Sequence, residues 1–331
     1  MRLTEIEGLP SFALLGPGFG GRPFLLLSDL RSMAAGPASL VFAGFEQHGR
    51  DAVTLGAGTT ETCTIEFEPQ ERPFSVISDF ADHSRKVAQI REAIAAGDVY
   101  QVCLTVRARL GAQGGAEILS RMCRDGIPRF AAWVRMPDGL EFVSASPELF
   151  FEITGRKVRS QPMKGTARPE QGMALAGSEK DRAELAMITD LIRNDLSKVC
   201  RPKSVRVVKE RHTLLLPYAA QTVSDVVGII DEDKSAMDVL AALHPGGSVT
   251  GAPKEAALEM IRRLEPHPRG PYCGTLGFVR EDRAVFALLI RTATKSHDGW
   301  TYGVGSGIVF DSDPQAELQE LAVKLGALSS D

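Results

Sequence analysis

The chain has no Cys-x-x-Cys pair, and its five cysteines, Cys63, Cys103, Cys123, Cys200 and Cys273, are an odd number. That pattern argues against a disulfide framework or a zinc site and leads us to expect a reducing, cytoplasmic setting. No apolar run reaches the ~18–20 residues that a membrane span requires. Met1-Arg2-Leu3-Thr4-Glu5 lacks the cationic start and apolar core of a signal peptide. A marked excess of one charge is missing too: 38 Lys and Arg stand against 42 Asp and Glu, a formal net charge of −4. On that balance neither nucleic acid nor a membrane is an expected partner. Basic runs such as Arg201-Pro202-Lys203 are short and read as solvated turns. No internal repeat, low-complexity stretch or His-rich cluster occurs, so nothing suggests zinc or iron.

What is present is an ordinary globular composition. The 331 residues, 44% apolar and 24% charged, suffice for one large domain or two modest ones with a sizeable core. Residues 1–75 are dense in Gly and Pro and read as a short β-rich segment. Residues 76–331 carry sharper patterns, and the two parts are expected to form one intertwined unit. Val87, Ile90 and Ile94 recur at helical spacing over 82–97, with Gly97 suited to a left-handed cap. Further helices are predicted over 179–198, 253–265 and 314–326, the last two with proline at the first position. Val102, Leu104, Val106, Ala108 and Leu110 alternate with polar residues, the signature of a half-buried strand. Other strands are predicted over 130–135, 141–144, 149–159, 205–210, 274–280, 284–292 and 300–309. Long strand runs with few helices point to an α+β fold.

Two glycine-rich stretches invite nucleotide readings and fail them. Gly16-Pro17-Gly18-Phe19-Gly20-Gly21 has the letters of a dinucleotide fingerprint, but strand-like Phe24-Leu25-Leu26-Leu27 follows where a helix should open. A hairpin turn is expected instead. Gly246-Gly247-Ser248-Val249-Thr250-Gly251-Ala252-Pro253-Lys254 has its lysine and hydroxyls at the wrong offsets for a phosphate loop. A glycine-rich turn feeding a helix can still present N–H groups to an anion, a carboxylate included.

Chemistry-bearing residues are fewer. Lys164 stands in the turn-like Gln161-Pro162-Met163-Lys164-Gly165-Thr166, closely after Ser146-Pro147-Glu148. At a reference pKa of ~10.4, about one lysine in 2,500 is neutral and nucleophilic at pH 7. Burial or a nearby cation would raise that fraction; a surface loop lysine is the alternative. Glu184 borders the apolar stripe of the 179–198 helix. Glu317, Glu320 and Lys324 share one face of the 314–326 helix. They read either as a surface Glu320–Lys324 pair or as a carboxylate set converging with Glu184 on Mg²⁺, which commonly takes one or two protein carboxylates.

Taken in order, the motifs resemble those of the chorismate-utilising enzymes. They are Gly97-Asp98-Val99-Tyr100-Gln101-Val102, Ser146-Pro147-Glu148, Pro162-Met163-Lys164-Gly165-Thr166, Asp190-Leu191-Ile192-Arg193-Asn194-Asp195-Leu196, the 246–254 stretch, Ile290-Arg291-Thr292, and Gly305-Ser306-Gly307-Ile308-Val309 with Asp311-Ser312-Asp313-Pro314. The resemblance covers roughly residues 80–326. Lysine in the Pro-x-Lys-Gly-Thr motif is similar to the aminodeoxychorismate synthases, where anthranilate synthases usually carry alanine. The resemblance implies two facing β-rich halves with helices outside and the site between them. It implies the aminating subunit that converts chorismate and ammonia to 4-amino-4-deoxychorismate, toward 4-aminobenzoate and folate.

The same resemblance implies the roles. Mg²⁺ would be held by Glu184 and Glu320, with Glu317 orienting that shell from outside. Glu148 would protonate the departing C4 hydroxyl, and Lys164 would attack C2 to form a covalent adduct that ammonia resolves at C4. Arg291 would grip the side-chain carboxylate, assisted by Tyr272. Backbone N–H groups around Gly165-Thr166 and Gly305-Ser306-Gly307 would hold other oxygens, with Thr250 and Lys324 as further pocket residues. For Tyr272 and Thr250, plain packing is the alternative. The family often has His at the position of Gln221, and often His where Leu185 follows the metal glutamate. No cysteine sits in a glutaminase-like nucleophile turn, so ammonia is expected from a separate glutamine amidotransferase subunit or from solution. Two other readings stay open: another chorismate enzyme, such as anthranilate or isochorismate synthase, and a degenerate subunit that binds ligand or partner without turnover.

Overall fold

The computed structural model describes residues 1–20, 24–33, 38–67, 75–78, 80–112, 114–167, 179–216 and 219–329. They form two ten-stranded antiparallel sheets, many of whose strands are buried along nearly their whole length. The first runs Gly251–Ala252, Gln101–Leu110, Gly299–Ile308, Thr292–Ser296, Glu141–Ser146, Phe130–Arg135, Phe12–Leu15, Phe24–Ser28 and Thr59–Cys63, with Val76–Ser78 beside Gln101–Leu110. The second runs Met163–Ala167, Ala219–Ile229, Lys157–Ser160, Leu149–Thr154, Arg283–Leu288, Thr275–Val279, Ser39–Ala43, Val53–Gly56 and Arg31–Ser32, with Arg206–Leu216 beside Ala219–Ile229. Residues 1–75 thus supply strands to both sheets.

Three apolar clusters hold the layers together. One lies between the sheets and includes Leu15, Leu27, Phe130 and Phe142 from the first and Leu40, Phe42, Leu276 and Val285 from the second. Phe42 and Phe142 meet across it with ring centroids 5.3 Å apart. A second cluster packs helices His83–Ala96, Glu179–Ser197, Ala236–Leu243 and Lys254–Leu264 on the outer faces. The third places helices Leu3–Glu7, Gly115–Met122 and Pro314–Ser329 against the first sheet. The architecture is α+β, with helices outside two facing sheets.

Several expectations are corrected. The single strand expected over 149–159 is a hairpin, Leu149–Thr154 and Lys157–Ser160, turned at Gly155 with φ 57°. The strand expected over 284–292 ends at Leu288; the chain then bends and starts a new strand at Thr292 in the other sheet. Pro253 caps helix Lys254–Leu264 instead of opening it. Strand Arg206–Leu216 runs well past residue 210. Strands Phe12–Leu15 and Phe24–Ser28 pair as the expected hairpin, although Gly21, Arg22 and Pro23 lie outside the described residues.

Candidate active site

Helix Glu179–Ser197 joins the two sheets at the site: Glu184 faces Lys164 on strand Met163–Ala167 of the second sheet and stands over Gly307 on strand Gly299–Ile308 of the first, against which helix Pro314–Ser329 also packs. Lys164 lies in a strand, Met163–Ala167, and not in the turn that the sequence suggested. Its register partner is Thr222, while Thr166 pairs with Gln221, so Gly165 is bulged out at φ 71°. The bulge gives Gly165 its function, because a left-handed φ is available to glycine without strain. The Thr166 side chain lies outside the described residues.

Lys164 Nζ meets Glu184 Oε2 at 2.6 Å, across from the helix to the sheet edge. Burial pulls the lysine pKa down, but the charge and hydrogen bond of Glu184 outweigh it and hold the pKa above its ordinary value. With no ligand bound, the Glu184 pair favours the charged amine, whereas attack on carbon needs the uncharged one.

Glu148 lies where the chain crosses from one sheet to the other. It is 6% exposed. Its N–H donates to Ser146 Oγ at 3.2 Å, and its carbonyl accepts from Leu288 N at 3.3 Å. Burial pushes its carboxyl up to about 7, against the opposing Lys164 charge and a hydrogen bond from Ser248. An acid with that pKa can hold and release a proton near neutrality.

On the opposite wall, Lys324 Nζ donates to Gly305 O at 2.7 Å and pairs with Glu320 Oε1 at 2.8 Å. A Cβ on Gly307 would stand 2.6 Å from Gln101 Nε2 and 3.7 Å from Glu184 Oε2. The Gln101 amide is what disfavours a side chain there, and Glu184 lies within ordinary contact of the same backbone. Glu184 thus stands over Gly307 and pairs with Lys164, while Glu320 pairs with the Lys324 that reaches Gly305. Among the described residues no three His, Cys, Asp or Glu side chains stand close enough to form a metal cage by themselves. Carboxylates are the donors that magnesium takes, and Glu184 and Glu320 would each exchange a lysine for the ion. Glu317 is buried and accepts from Ser312 Oγ at 2.7 Å, which ties the start of its helix to the preceding turn.

Tyr272 is buried, and its ring packs where a Cβ on Gly303 would be. Arg291 is exposed and adopts φ 51°, a strained left-handed conformation for a non-glycine residue. Its charge reaches the buried Tyr302 hydroxyl. Thr250 is fully buried, and its hydroxyl donates to Gly246 O at 2.9 Å, so it staples its own loop. That geometry favours the packing reading of Thr250.

Sequence reasoning missed Gln101. It is fully buried, yet neither amide atom finds a hydrogen-bond partner among the described residues. Thr222 Oγ1, across from Lys164, is unpartnered in the same way, as is the Gln221 amide next along the strand. Buried polar groups are nearly always satisfied by protein, water or ligand, so each of these has room for a partner that the described residues do not supply. The available signal was Gln101 on the polar side of an alternating strand, at the end that the helices cover.

A buried glutamate paired with a lysine, an acid that holds its proton near neutrality and buried unpartnered polar atoms are the features that mark candidate functional sites. The sequence pattern of the chorismate binding enzymes matches residues 42–330. Over 281 residues the chain is 34% identical to aminodeoxychorismate synthase component 1 of Salmonella typhimurium, covering 80% of this chain and 62% of that protein. It is 36% identical over 258 residues to anthranilate synthase component 1 of Streptomyces coelicolor, covering 75% of this chain and 50% of that protein. The match therefore spans only half to three fifths of these relatives' length. The fold resembles anthranilate synthase component I from Streptococcus pneumoniae, with a TM-score of 0.76, 21% identity, and coverage of 96% of this chain and 90% of that one. The chain belongs to the chorismate binding enzyme family. Among the described residues no helix is long and apolar enough to cross a membrane.

Proposed function

We propose that the chain is an aminodeoxychorismate synthase component I. It would replace the C4 hydroxyl of chorismate with an amino group supplied as ammonia by a separate glutamine amidotransferase subunit. The observation that carries this reading is Lys164, a primary amine 2.6 Å from Glu184 and close enough to Glu148 to oppose its rise in pKa. An anthranilate-type site has no use for a nucleophile there.

Chorismate would lie over Gly305 and Gly307 with its ring carboxylate toward Glu184 and Glu320. Arg291 would bind the enolpyruvyl carboxylate through its guanidinium fork. Glu148 gives its proton to the C4 oxygen, which leaves as water. Lys164, having released its proton to solvent, forms a bond to C2 as the ring double bond shifts and the C4–O bond breaks. Ammonia then adds at C4 and yields a proton that restores Glu148, the double bond shifts back, and the C2–N bond to Lys164 breaks, returning the amine. The balance is chorismate plus ammonia giving 4-amino-4-deoxychorismate plus water. Magnesium, when bound by Glu184 and Glu320, would supply positive charge for the ring carboxylate where the two lysines now stand.

The test is incubation with chorismate, magnesium and ammonium, with products identified by mass and fluorescence. Accumulation of 4-amino-4-deoxychorismate is expected. Prompt anthranilate fluorescence would reject the assignment in favour of anthranilate synthase, and loss of chorismate to isochorismate would reject it likewise.

A further inference from the structure

Ser248 lies on a single 3-10 turn, Gly247–Val249, that is anchored at both ends. Thr250 Oγ1 donates to Gly246 O at 2.9 Å, and Arg269 Nη1 donates to Val249 O at 2.6 Å. Arg269 is only 4% exposed, and Glu265 fixes it by accepting from Nε at 2.8 Å and Nη2 at 2.6 Å. The same guanidinium reaches Cys103 O at 2.7 Å, so it ties the turn to the strand that carries Gln101. Held in this way, Ser248 directs its hydroxyl to Glu148 Oε1 at 3.3 Å.

A carboxyl acid has two oxygens, and only one carries the proton. A hydroxyl donating to Oε1 keeps that oxygen an acceptor and leaves Oε2 to bear the hydrogen. Resting on the reading of Glu148 as the proton donor, we propose that Ser248 is a positioning residue that selects Oε2 as the proton-bearing oxygen and fixes the rotation of the carboxyl. When the proton passes from Oε2 to the departing hydroxyl, the same bond steadies the carboxylate left behind. Neither Ser248 nor the anchoring Arg269 has a role in the covalent steps themselves.

The bond favours the ionised form, so its loss should make Glu148 hold its proton to higher pH. The experiment is the pH dependence of kcat for aminodeoxychorismate formation in the parent, Ser248→Ala, Ser248→Thr and Ser248→Cys. In Ser248→Ala the alkaline limb should move up by about 0.5–1 pH unit, and the low-pH plateau should fall about tenfold. Threonine should restore both. Cysteine, nearly the same shape and a poorer donor, should move the limb in the same direction as alanine, and it serves if the alanine variant does not fold. An unmoved limb in the alanine and cysteine variants, or failure of threonine to restore it, overturns the proposal. Glu148→Gln separates the two levels. If it retains full activity, the acid assignment itself falls; if it is inactive while the limb of the Ser248 variants stays in place, only the role of Ser248 falls.

Discussion

Gln101 and Lys164 make opposite demands on their surroundings, and each gives a test. The Gln101 amide has no partner to lose among the described residues, so Gln101→Leu should leave the unfolding free energy in urea within about 0.5 kcal/mol of the parent or raise it. Its KM for chorismate should rise about tenfold, because the ligand loses a hydrogen bond to a buried donor. An unchanged KM would make Gln101 a packing residue. Lys164 does have a partner, so Lys164→Ala strands the buried Glu184 carboxylate and costs stability as well as activity. Lys164→Arg is the cleaner variant, since guanidinium keeps the ion pair yet stays protonated and cannot attack carbon. It should fold and show no covalent route; unchanged aminodeoxychorismate formation in both variants would remove the lysine adduct from the mechanism. The identity of Lys164 was legible from its motif. Its ionisation was not, because that depends on Glu184, which only the fold brings within 2.6 Å.

Among the elements, strand Gly299–Ile308 shows how close approach dictates sequence. A methyl group on Gly303 would overlap the Tyr272 ring, and on Gly305 it would stand 2.8 Å from Leu104 O and from Thr105 Cγ2. Gly303→Ala should therefore destabilise the protein by about 1–3 kcal/mol through overpacking, read from denaturant unfolding at constant m-value. It should also displace Tyr272 from the strand, visible as a change in tyrosine near-ultraviolet signal. An unperturbed spectrum and stability would mean that the ring has room elsewhere. Elements with a strong period are legible in the residue pattern alone: helix His83–Ala96 with its cap at Gly97, φ 84°, and strand Gln101–Leu110 with its alternation. Strand Ala219–Ile229 is not, because it is buried along almost its whole length and carries no alternation. Lys164 reads as a turn because Pro162 and Gly165 flank it; in the fold Gly165 makes a bulge inside a paired strand.

At the scale of the whole molecule, residues 1–75 are bound into both sheets, and His244 is one of the joints. Its Nε2 donates to Gly44 O at 3.0 Å, at the end of strand Ser39–Ala43, and its Nδ1 accepts from Thr275 Oγ1 at 3.0 Å. Because Gly44 O can only accept, the ring is satisfied as one neutral tautomer. Burial pushes its pKa down to about 4, an effect reinforced by the Lys254 and His48 charges and opposed by the bond to Gly44. An unfolded histidine titrates near ~6.5. As pH falls through the window from about 6.5 to 4, the unfolded chain takes up a proton that the native chain refuses, so stability is lost with acidification. The full loss is on the order of 3 kcal/mol, because each tenfold change in proton affinity is worth about 1.36 kcal/mol. His244→Asn should begin less stable at pH 7, having lost a bond that joins two segments of one sheet. Between about pH 6.5 and 4.5 its unfolding free energy should fall more gently than that of the parent, by up to one proton per molecule in the linkage slope. Parallel slopes in the two proteins would show that some other buried group governs the acid response of the fold.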